Sequence, residues 1–158
     1  MPGEITLFDL HHVIQLVMGW EDCHLHDFMI KRQRYALPGP DPFDEAVDES
    51  ETRMRDVVGP RNKFVYQDFG DSWKHDVLVE RVVDDDATSG VVCVDGERAC
   101  PPEDCGGPWG YTEKLEALSS RDDESSELRE WMGGDFDPEL FDRNAVNKAL
   151  RRFFRPSR

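Results

Sequence analysis

Two pairs of side chains in this sequence have the chemistry of ligands for a borderline metal ion. His24 and His26 flank one residue, and Cys100 and Cys105 flank four. Alternate residues of a strand point to one face, so a strand through residues 24–30 would present both imidazoles together. Imidazole and thiolate both suit Zn²⁺. The two pairs therefore predict a zinc site, although the Cys spacing is wider than in common zinc motifs and simple packing of these side chains is the favoured alternative.

A second set of residues lies in or beside predicted turns and could form a binding surface. Its carboxylates could hold a divalent cation or do acid and base work, or simply accept hydrogen bonds from turn amides. Its aromatic rings could stack on a ligand, or fill the core. The set comprises Asp68, Asp71, His75, Glu103, Asp104, Trp109 and Tyr111.

Residues 97–111 join parts of both sets in an unusual segment. The segment contains two cysteines, three prolines and three glycines. Proline fixes its own φ and glycine allows a positive φ or a close backbone approach, so the composition predicts a loop of fixed shape that is neither helix nor strand. A loop of fixed shape serves either packing or a site.

The elements that would position these residues follow from hydrophobic periodicity. Thr6 and Asp9 have the spacing of a capping box, and apolar residues then recur at helical spacing until Gly19, which predicts a first helix over Ile5–Met18. Alternation predicts further strands, two of them forming a hairpin around Gly70-Asp71-Ser72. The predicted strands are 24–30, 63–69, 74–83 and 91–94, and the predicted later helices are 112–118, 124–132, 138–141 and 143–154.

This order of elements predicts one α+β domain over residues 1–158. A mainly antiparallel sheet is covered by the N-terminal helix, and a group of helices forms the C-terminal part. Residues 37–60 are rich in prolines and acids and are expected to be a long, partly mobile insertion.

Charge and cysteine content exclude several classes of protein. The chain has 34 acidic and 19 basic residues and a net charge of −15, which disfavours general binding to duplex nucleic acid. Its apolar stretches are too short to cross a bilayer, so no membrane association and a cytoplasmic location are expected. Four cysteines in such a chain do not indicate a disulfide framework, and Cys23 and Cys93 are expected to be small buried side chains.

Several blocks of the sequence resemble the plasmid pRiA4b ORF-3-like family, whose members are often described as TnpR-like proteins of mobile elements. The run CPPEDCGGPWGY within residues 97–111 is the most specific of them. The blocks are ITLFDLHHVIQLVMGW at residues 5–20, HLHDF at 24–28, YQDFGDSWKH at 66–75, that loop, and WMGGDFDPELF at 131–141. Relatives in this family carry an additional N-terminal strand, so the resemblance implies either that this strand is missing before Met1 or that the start of the chain is assigned too late.

The resemblance implies a mobile-element protein without implying a reaction. The serines offer no arrangement typical of a serine resolvase, and no phosphate-binding loop, dinucleotide motif or nucleophile elbow occurs. The leading hypothesis is a non-enzymatic interaction or accessory domain with an unidentified protein partner and no obligatory cofactor. The alternative is a metal-dependent hydrolase that uses a His/Cys site, with zinc as the cofactor, or a carboxylate site.

Overall fold

The computed structural model describes residues 1–41, 43, 45–83, 90–119, 123–134 and 136–154, with the backbone alone at 123 and 124. Five helices and five strands lie in these ranges. In chain order they are α1 Leu7–Met18, β1 His26–Ile30, β2 Gln33–Ala36, β3 Val47–Asp48, α2 Met54–Val57, β4 Lys63–Asp68, β5 Lys74–Leu78, α3 Gly107–Leu118, α4 Asp123–Trp131 and α5 Arg143–Phe153.

Helix α1 begins at Leu7, two residues after the predicted start, and has the capping signals that the sequence predicts at both ends. The Thr6 side chain accepts from the Asp9 amide at 3.0 Å, and the Asp9 carboxylate accepts from the Thr6 amide at 2.9 Å, which completes a capping box. Gly19 ends the helix in the left-handed conformation with φ 75°. These two signals fix the length of the helix that lies over the sheet.

The strands form one sheet in the order β3-β2-β1-β4-β5. All neighbouring pairs are antiparallel except β2 and β3. The predicted hairpin is confirmed as β4 and β5, whose register includes Tyr66 opposite His75. On the other side of β4, Phe28 of β1 lies opposite Tyr66. A five-stranded, mainly antiparallel sheet with an N-terminal helix and C-terminal helices confirms the predicted α+β fold.

The core lies between the sheet and its covering helices. Strand residues that alternate along β1 and β4 point to the same face and meet the apolar side of α1 and one residue of α5. The buried cluster includes Leu7, Leu10, Val13, Phe28, Ile30, Phe64, Tyr66, Val91 and Leu150. Toward the end of the sheet where β4 turns into β5, this same face becomes polar.

Several predicted boundaries are wrong, and two predicted elements do not form. Strand β1 begins at His26, so His24 lies outside it, and β5 ends at Leu78 although the apolar run continues to Val83. The C-terminal part of the 97–111 segment is helical, since α3 begins at Gly107. Residues 91–94 and 138–141 form no regular element.

The insertion at residues 37–60 is more ordered than predicted over the part that is described. Strand β3 adds to the edge of the sheet by parallel pairing of Tyr35 with Val47. The following Glu49 is fully buried, and its carbonyl accepts from the Phe8 amide of α1. The insertion therefore contributes both a strand and a buried carboxylate to the domain.

In the described residues, we find no helix with the length and apolarity required to span a bilayer.

Candidate functional site

Three chain segments meet at the end of the sheet where β4 turns into β5, which we call the hairpin-turn end. They are the β4–β5 turn at residues 69–73, the segment 20–25 that leads into β1, and the loop 100–107 that leads into α3. Two of them join in a short antiparallel contact, because the Phe69 amide donates to the Leu25 carbonyl at 2.8 Å. The site is thus built on the rigid ends of two paired strands.

The loop 100–107 is fastened to the other two segments by hydrogen bonds. The Trp20 indole donates to the Pro101 carbonyl at 2.9 Å, and the Glu21 amide donates to the Glu103 carboxylate at 2.9 Å. The Asp71 carboxylate accepts from the Gly106 amide at 3.1 Å. These contacts attach the loop to both neighbouring segments.

A glycine is required where the loop meets the turn. Gly107 has a φ of 66°, and a Cβ at this position would lie 2.4 Å from the Asp71 carbonyl oxygen. Only glycine combines this backbone conformation with so close an approach. The first residue of α3 is therefore set directly against the hairpin turn.

Three potential metal ligands converge between these segments. The Cys23 sulfur lies 3.7 Å from Nε2 of His24 and donates to Oε1 of Glu103 at 3.4 Å. Nδ1 of His24 lies 3.9 Å from the same Glu103 oxygen. Cys23, His24 and Glu103 form one group of donor atoms, all within 4.8 Å of one another, in the described part of the chain. We call this group the Cys23 cluster.

His24 is held in place from both sides of its ring. Nδ1 lies 3.4 Å from Oδ1 of Asp68, and Nε2 lies 3.3 Å from Oδ1 of Asp104. Asp68 is only 2% exposed, and its carboxylate also accepts from the Gly70 amide at 3.0 Å. A Cβ on Gly70 would lie 2.2 Å from the His24 ring, so the imidazole occupies the space that glycine leaves free.

The thiol of Cys23 is more exposed than the sequence suggests. The expectation of a small buried side chain is wrong, because the residue lies at the surface. Local desolvation and the hydrogen bond to Glu103 raise the pKa of the Cys23 thiol. Without a cation nearby, the sulfur therefore keeps its proton and donates a hydrogen bond to the Glu103 carboxylate.

His26 belongs to a separate, buried group. Its ring stacks on that of His11, with centroids 3.5 Å apart and an interplanar angle of 3°. Nε2 of His26 contacts Oε1 of Glu49 at 2.7 Å, and both side chains are almost completely buried. The two histidines predicted to share a metal therefore face different partners.

A chain of hydrogen bonds extends from this buried group toward the surface. His11 contacts the Tyr66 hydroxyl through Nδ1 at 2.9 Å and Asp22 through Nε2 at 2.7 Å. Gln15 donates to the Tyr66 hydroxyl at 3.0 Å and to Asp68 at 3.4 Å. Burial and the neighbouring His26 lower the pKa of His11 to about 4 despite the hydrogen bond to Asp22, so the ring is neutral at neutral pH.

Cys100 and Cys105 pack separately. The Cys100 thiol contacts the Val17 carbonyl at 3.6 Å and the Met18 sulfur at 3.5 Å. Cys105 is fully buried, and desolvation together with Asp71 raises its pKa to about 11. Desolvation also raises the pKa of Cys100. The structure does not bring these two thiols together with the two predicted histidine ligands, and the packing alternative describes their surroundings.

The predicted binding-surface residues divide into four environments. Asp68, Asp71, Glu103 and Asp104 meet at the hairpin-turn end, as described above. His75 is inside, where burial lowers its pKa and its Nε2 atom finds no hydrogen-bond partner among the described residues. Tyr111 is partly covered and contacts Trp73 edge to face, with centroids 6.3 Å apart. Trp109 is 85% exposed, so of the two alternatives given for the aromatic rings, filling the core is wrong for this residue.

Sequence reasoning missed Cys23, His11, Gln15 and Glu49. A signal existed for two of them, because His11 and Gln15 are four residues apart and therefore share one face of α1 beside its apolar stripe. Glu49 gave no signal, since it lies among other acids in the insertion. The sequence does not indicate Cys23 as a site residue, because a single cysteine has no spacing pattern of its own.

Three surface cavities, of about 370, 550 and 670 Å³, lie away from the Cys23 cluster. The first lies by α3 and α4, the second by α1 and α5, and the third by the β1–β2 turn. None of the three is lined by a residue of the cluster.

Comparison with known families identifies relatives that match most of this chain, including the loop 100–107. The family model described as plasmid pRiA4b ORF-3-like protein matches residues 1–145. The chain belongs to this family. The resemblance inferred from the sequence blocks is therefore confirmed, and the hairpin-turn end is built largely from those blocks.

Two individual proteins show how far the similarity extends. An uncharacterised protein of Sinorhizobium fredii, y4hQ, is 36% identical over 156 residues, which cover 95% of this chain and 80% of that protein. The crystal structure of a protein of unknown function from Methanosarcina mazei Go1 is similar with a TM-score of 0.81 and 37% identity. That match covers 91% of this chain and 84% of the other. The similarity thus extends over most of both chains, in sequence for the first protein and in sequence and fold for the second.

Proposed function

We propose that this protein is a non-enzymatic interaction domain that binds a protein partner through the hairpin-turn end. The observation that carries the proposal is the group of exposed apolar side chains at this end of the sheet. Leu25 is 82% exposed, Phe69 is 47% exposed, and Trp109 is 85% exposed. Exposed apolar residues that gather on one part of a surface are typical of interaction sites.

The segments that carry these side chains are fixed before any partner arrives. Leu25 and Phe69 are on neighbouring segments joined by a backbone hydrogen bond. Trp109 is in the first turn of α3, whose start is set against Asp71 of the hairpin turn. A surface that is already ordered loses little conformational entropy on binding, which favours affinity.

The surrounding charge favours a protein partner over a nucleic acid. Asp71, Glu103 and Asp104 lie at the same hairpin-turn end, and the whole chain has a net charge of −15. Acidic surfaces repel phosphates. A partner with an apolar anchor and a basic rim would complement this surface. Members of this family are often described as proteins of mobile elements, and we therefore place this accessory role in a plasmid or another mobile element.

The experiment is affinity capture with the full-length protein as bait, followed by binding measurements with the purified partner. The Trp109→Ala variant should weaken binding by at least about 30-fold, because an exposed Trp at a rigid surface has the properties of an interface hot spot. Phe43→Ala is the matched control, since Phe43 is 88% exposed and lies near the β1–β2 turn at the opposite end of the sheet. Equal binding by wild type and Trp109→Ala would refute the proposal.

A metal-dependent hydrolase is the second candidate, and the Cys23 cluster is the observation that favours it. Three protein ligands on zinc leave a position for water, whose pKa the metal lowers. Hydrolysis of activated esters and phosphodiesters by zinc-loaded protein, abolished in Cys23→Ser, would support this candidate. Absence of metal-dependent turnover with both substrate types would leave the interaction domain as the better description.

A further inference from the structure

We propose that Cys23, His24 and Glu103 are ligands of a zinc-class cation. This site differs from the two Cys and His pairs predicted from the sequence, and it shares only His24 with them. It also does not depend on the protein-binding proposal, because it rests on donor geometry and not on the exposed apolar side chains.

The distances between donors fit a shared tetrahedral ion. Zinc lies about 2.3 Å from a thiolate and about 2.0 to 2.1 Å from an imidazole nitrogen or a carboxylate oxygen, so two such ligands of one ion are separated by roughly 3.5 Å. The observed separations are 3.7 Å from the Cys23 sulfur to Nε2 of His24 and 3.4 Å from this sulfur to Oε1 of Glu103. For the third pair, Oε1 of Glu103 lies 3.9 Å from Nδ1 of His24, and all three donor atoms lie within 4.8 Å of one another. A turn of the Glu103 carboxylate toward Nε2 would therefore place an ion among them.

The buried carboxylate of Asp68 gives the histidine its orientation. Asp68 faces Nδ1 of His24 at 3.4 Å, so a ring that donates through Nδ1 to Asp68 would bind the ion through Nε2, the nitrogen 3.7 Å from the Cys23 sulfur. A carboxylate behind a metal-binding histidine is a common supporting arrangement. Asp68 is in turn held by the Gly70 amide and Gln15, so it acts as a positioning residue.

A carboxylate is also available for the fourth position. Oδ1 of Asp104 lies 3.3 Å from Nε2 of His24, and the Asp104 side chain is 75% exposed. Either this carboxylate or water would complete four-coordination. The mixture of one thiolate, one imidazole and carboxylate oxygen favours zinc over calcium or magnesium, which prefer oxygen ligands alone.

Binding is a simple exchange of the thiol proton for the cation. The Cys23 S–H bond breaks, a sulfur–metal bond forms, and the proton passes to solvent without any change in oxidation state. The bound ion would join segment 20–25 to the loop 100–107, two parts of the chain that are about 80 residues apart in sequence. It would therefore strengthen the attachment of the loop that the Trp20 and Glu21 hydrogen bonds already provide.

The test uses untagged full-length protein and two probes, Zn²⁺ by equilibrium dialysis with metal analysis and Co²⁺ by absorption spectroscopy. Wild type should bind one equivalent of Zn²⁺, and its Co²⁺ form should show sulfur-to-cobalt charge transfer with tetrahedral bands. Cys23→Ser and Glu103→Gln should each weaken Zn²⁺ binding by more than about tenfold, and Asp68→Asn should weaken it by about tenfold through loss of orientation. Cys93→Ser is the matched control and should bind like wild type.

Other results would overturn the site. Sulfur-to-cobalt charge transfer that persists in Cys23→Ser would show that another cysteine supplies the thiolate. Equal losses in Cys23→Ser and Cys93→Ser would show unspecific binding, and no binding by the folded wild type would reject the site outright. Circular dichroism of each metal-free variant separates a lost ligand from a lost fold. Trp109→Ala should leave Zn²⁺ binding unchanged, which keeps this test distinct from that of the protein-binding surface.

Discussion

Asp68 is the residue that connects the interior of this protein to its candidate site. One of its oxygens faces Nδ1 of His24 and accepts from the Gly70 amide, while the other accepts from Gln15. Gln15 in turn donates to the Tyr66 hydroxyl, which contacts the buried His11. A change to this carboxylate would therefore affect both the surface cluster and the buried polar network, which is why Asp68→Asn needs a fold control.

Gly70→Ala is expected to displace His24. The new Cβ would lie 2.2 Å from the imidazole, far inside van der Waals contact, so the ring must move away from Asp68. We expect a loss of about 1 to 3 kcal/mol in the free energy of unfolding, the usual cost of overpacking, together with weaker Zn²⁺ binding. Urea denaturation measures the first effect. Gly39→Ala is the control, since nothing lies within 4 Å of a Cβ there, and equal effects of both substitutions would contradict this explanation.

The buried His11 is expected to make stability depend on pH. Its pKa is 6.5 in the unfolded chain and about 4 in the folded protein, so the unfolded state binds more protons between these values. Stability should therefore be complete above pH 6.5 and fall as the pH is lowered toward 4, by up to about 1.4 kcal/mol per pH unit. The lowered pKa of His75 acts in the same direction. Urea denaturation between pH 7.5 and 5 measures the slope.

The groups that face His11 must be considered together. Asp22 favours its protonated form, whereas burial, His26 and His12 oppose it. His11→Gln should show a shallower dependence of stability on pH than wild type, because one titrating group has been removed. An imidazole signal of His11 that titrates near 6.5 in NMR spectra of the folded protein would contradict the prediction.

At the scale of single residues, the sequence identified the right types but not their groupings. Alternation placed His24 and His26 on one face, but it cannot show where pairing with the next strand begins. Pairing of β1 begins at His26, opposite Asp68, just before β4 enters its turn. His24 thus falls outside the regular strand and turns toward the loop, while His26 faces α1. The environment of His24 therefore depends on where β4 ends and its turn begins, which the sequence around His24 does not reveal.

At the scale of elements, the least predictable feature was the start of α3. Gly107 and Pro108 are usually read as interruptions, yet here they begin a helix. Proline is acceptable in a first helical turn because the amide it lacks would have no partner within the helix. By contrast, the capping box of α1 and the β4–β5 hairpin were predictable, because their signals are local to the residues that form them.

The segment around Cys93 shows another interaction that a sequence pattern does not reveal. The apolar run 91–94 predicts a strand, but these residues attach to α5 through the side chain of Asn147. Its Oδ1 accepts from the Cys93 amide and its Nδ2 donates to the Cys93 carbonyl, both at 2.9 Å. One amide side chain therefore makes the two backbone contacts that a neighbouring strand would have made.

Asn147→Ala is expected to release this segment from α5. Two backbone groups of Cys93 would lose their partners, so we expect a loss of about 1 to 3 kcal/mol in stability and faster hydrogen exchange of the Cys93 amide. Asn144→Ala in the same helix is the control, because it makes the same substitution at a residue that is exposed. Unchanged exchange at Cys93 in Asn147→Ala would show that packing alone holds the segment.

At the scale of the whole molecule, the dominant property is the excess of acidic groups. The net charge of −15 is carried by a chain of 158 residues, and many of its acids lie at the surface. Mutual repulsion among them disfavours the compact state and is stronger at low ionic strength. The composition alone was sufficient to infer this property, because net charge does not depend on how the chain folds.

The thermal midpoint is therefore expected to rise as NaCl is increased from low to moderate concentration. The Debye length falls from about 30 Å at 0.01 M salt to about 8 Å at 0.15 M, so most of the stabilisation should appear over this range and then level off. Differential scanning calorimetry at fixed pH measures it. A variant with Glu51, Glu97 and Glu113 each replaced by Gln removes three exposed negative charges and should show a smaller rise. A rise that is equal in both proteins, or that continues linearly to molar salt, would indicate a general salt effect on apolar burial instead of screening.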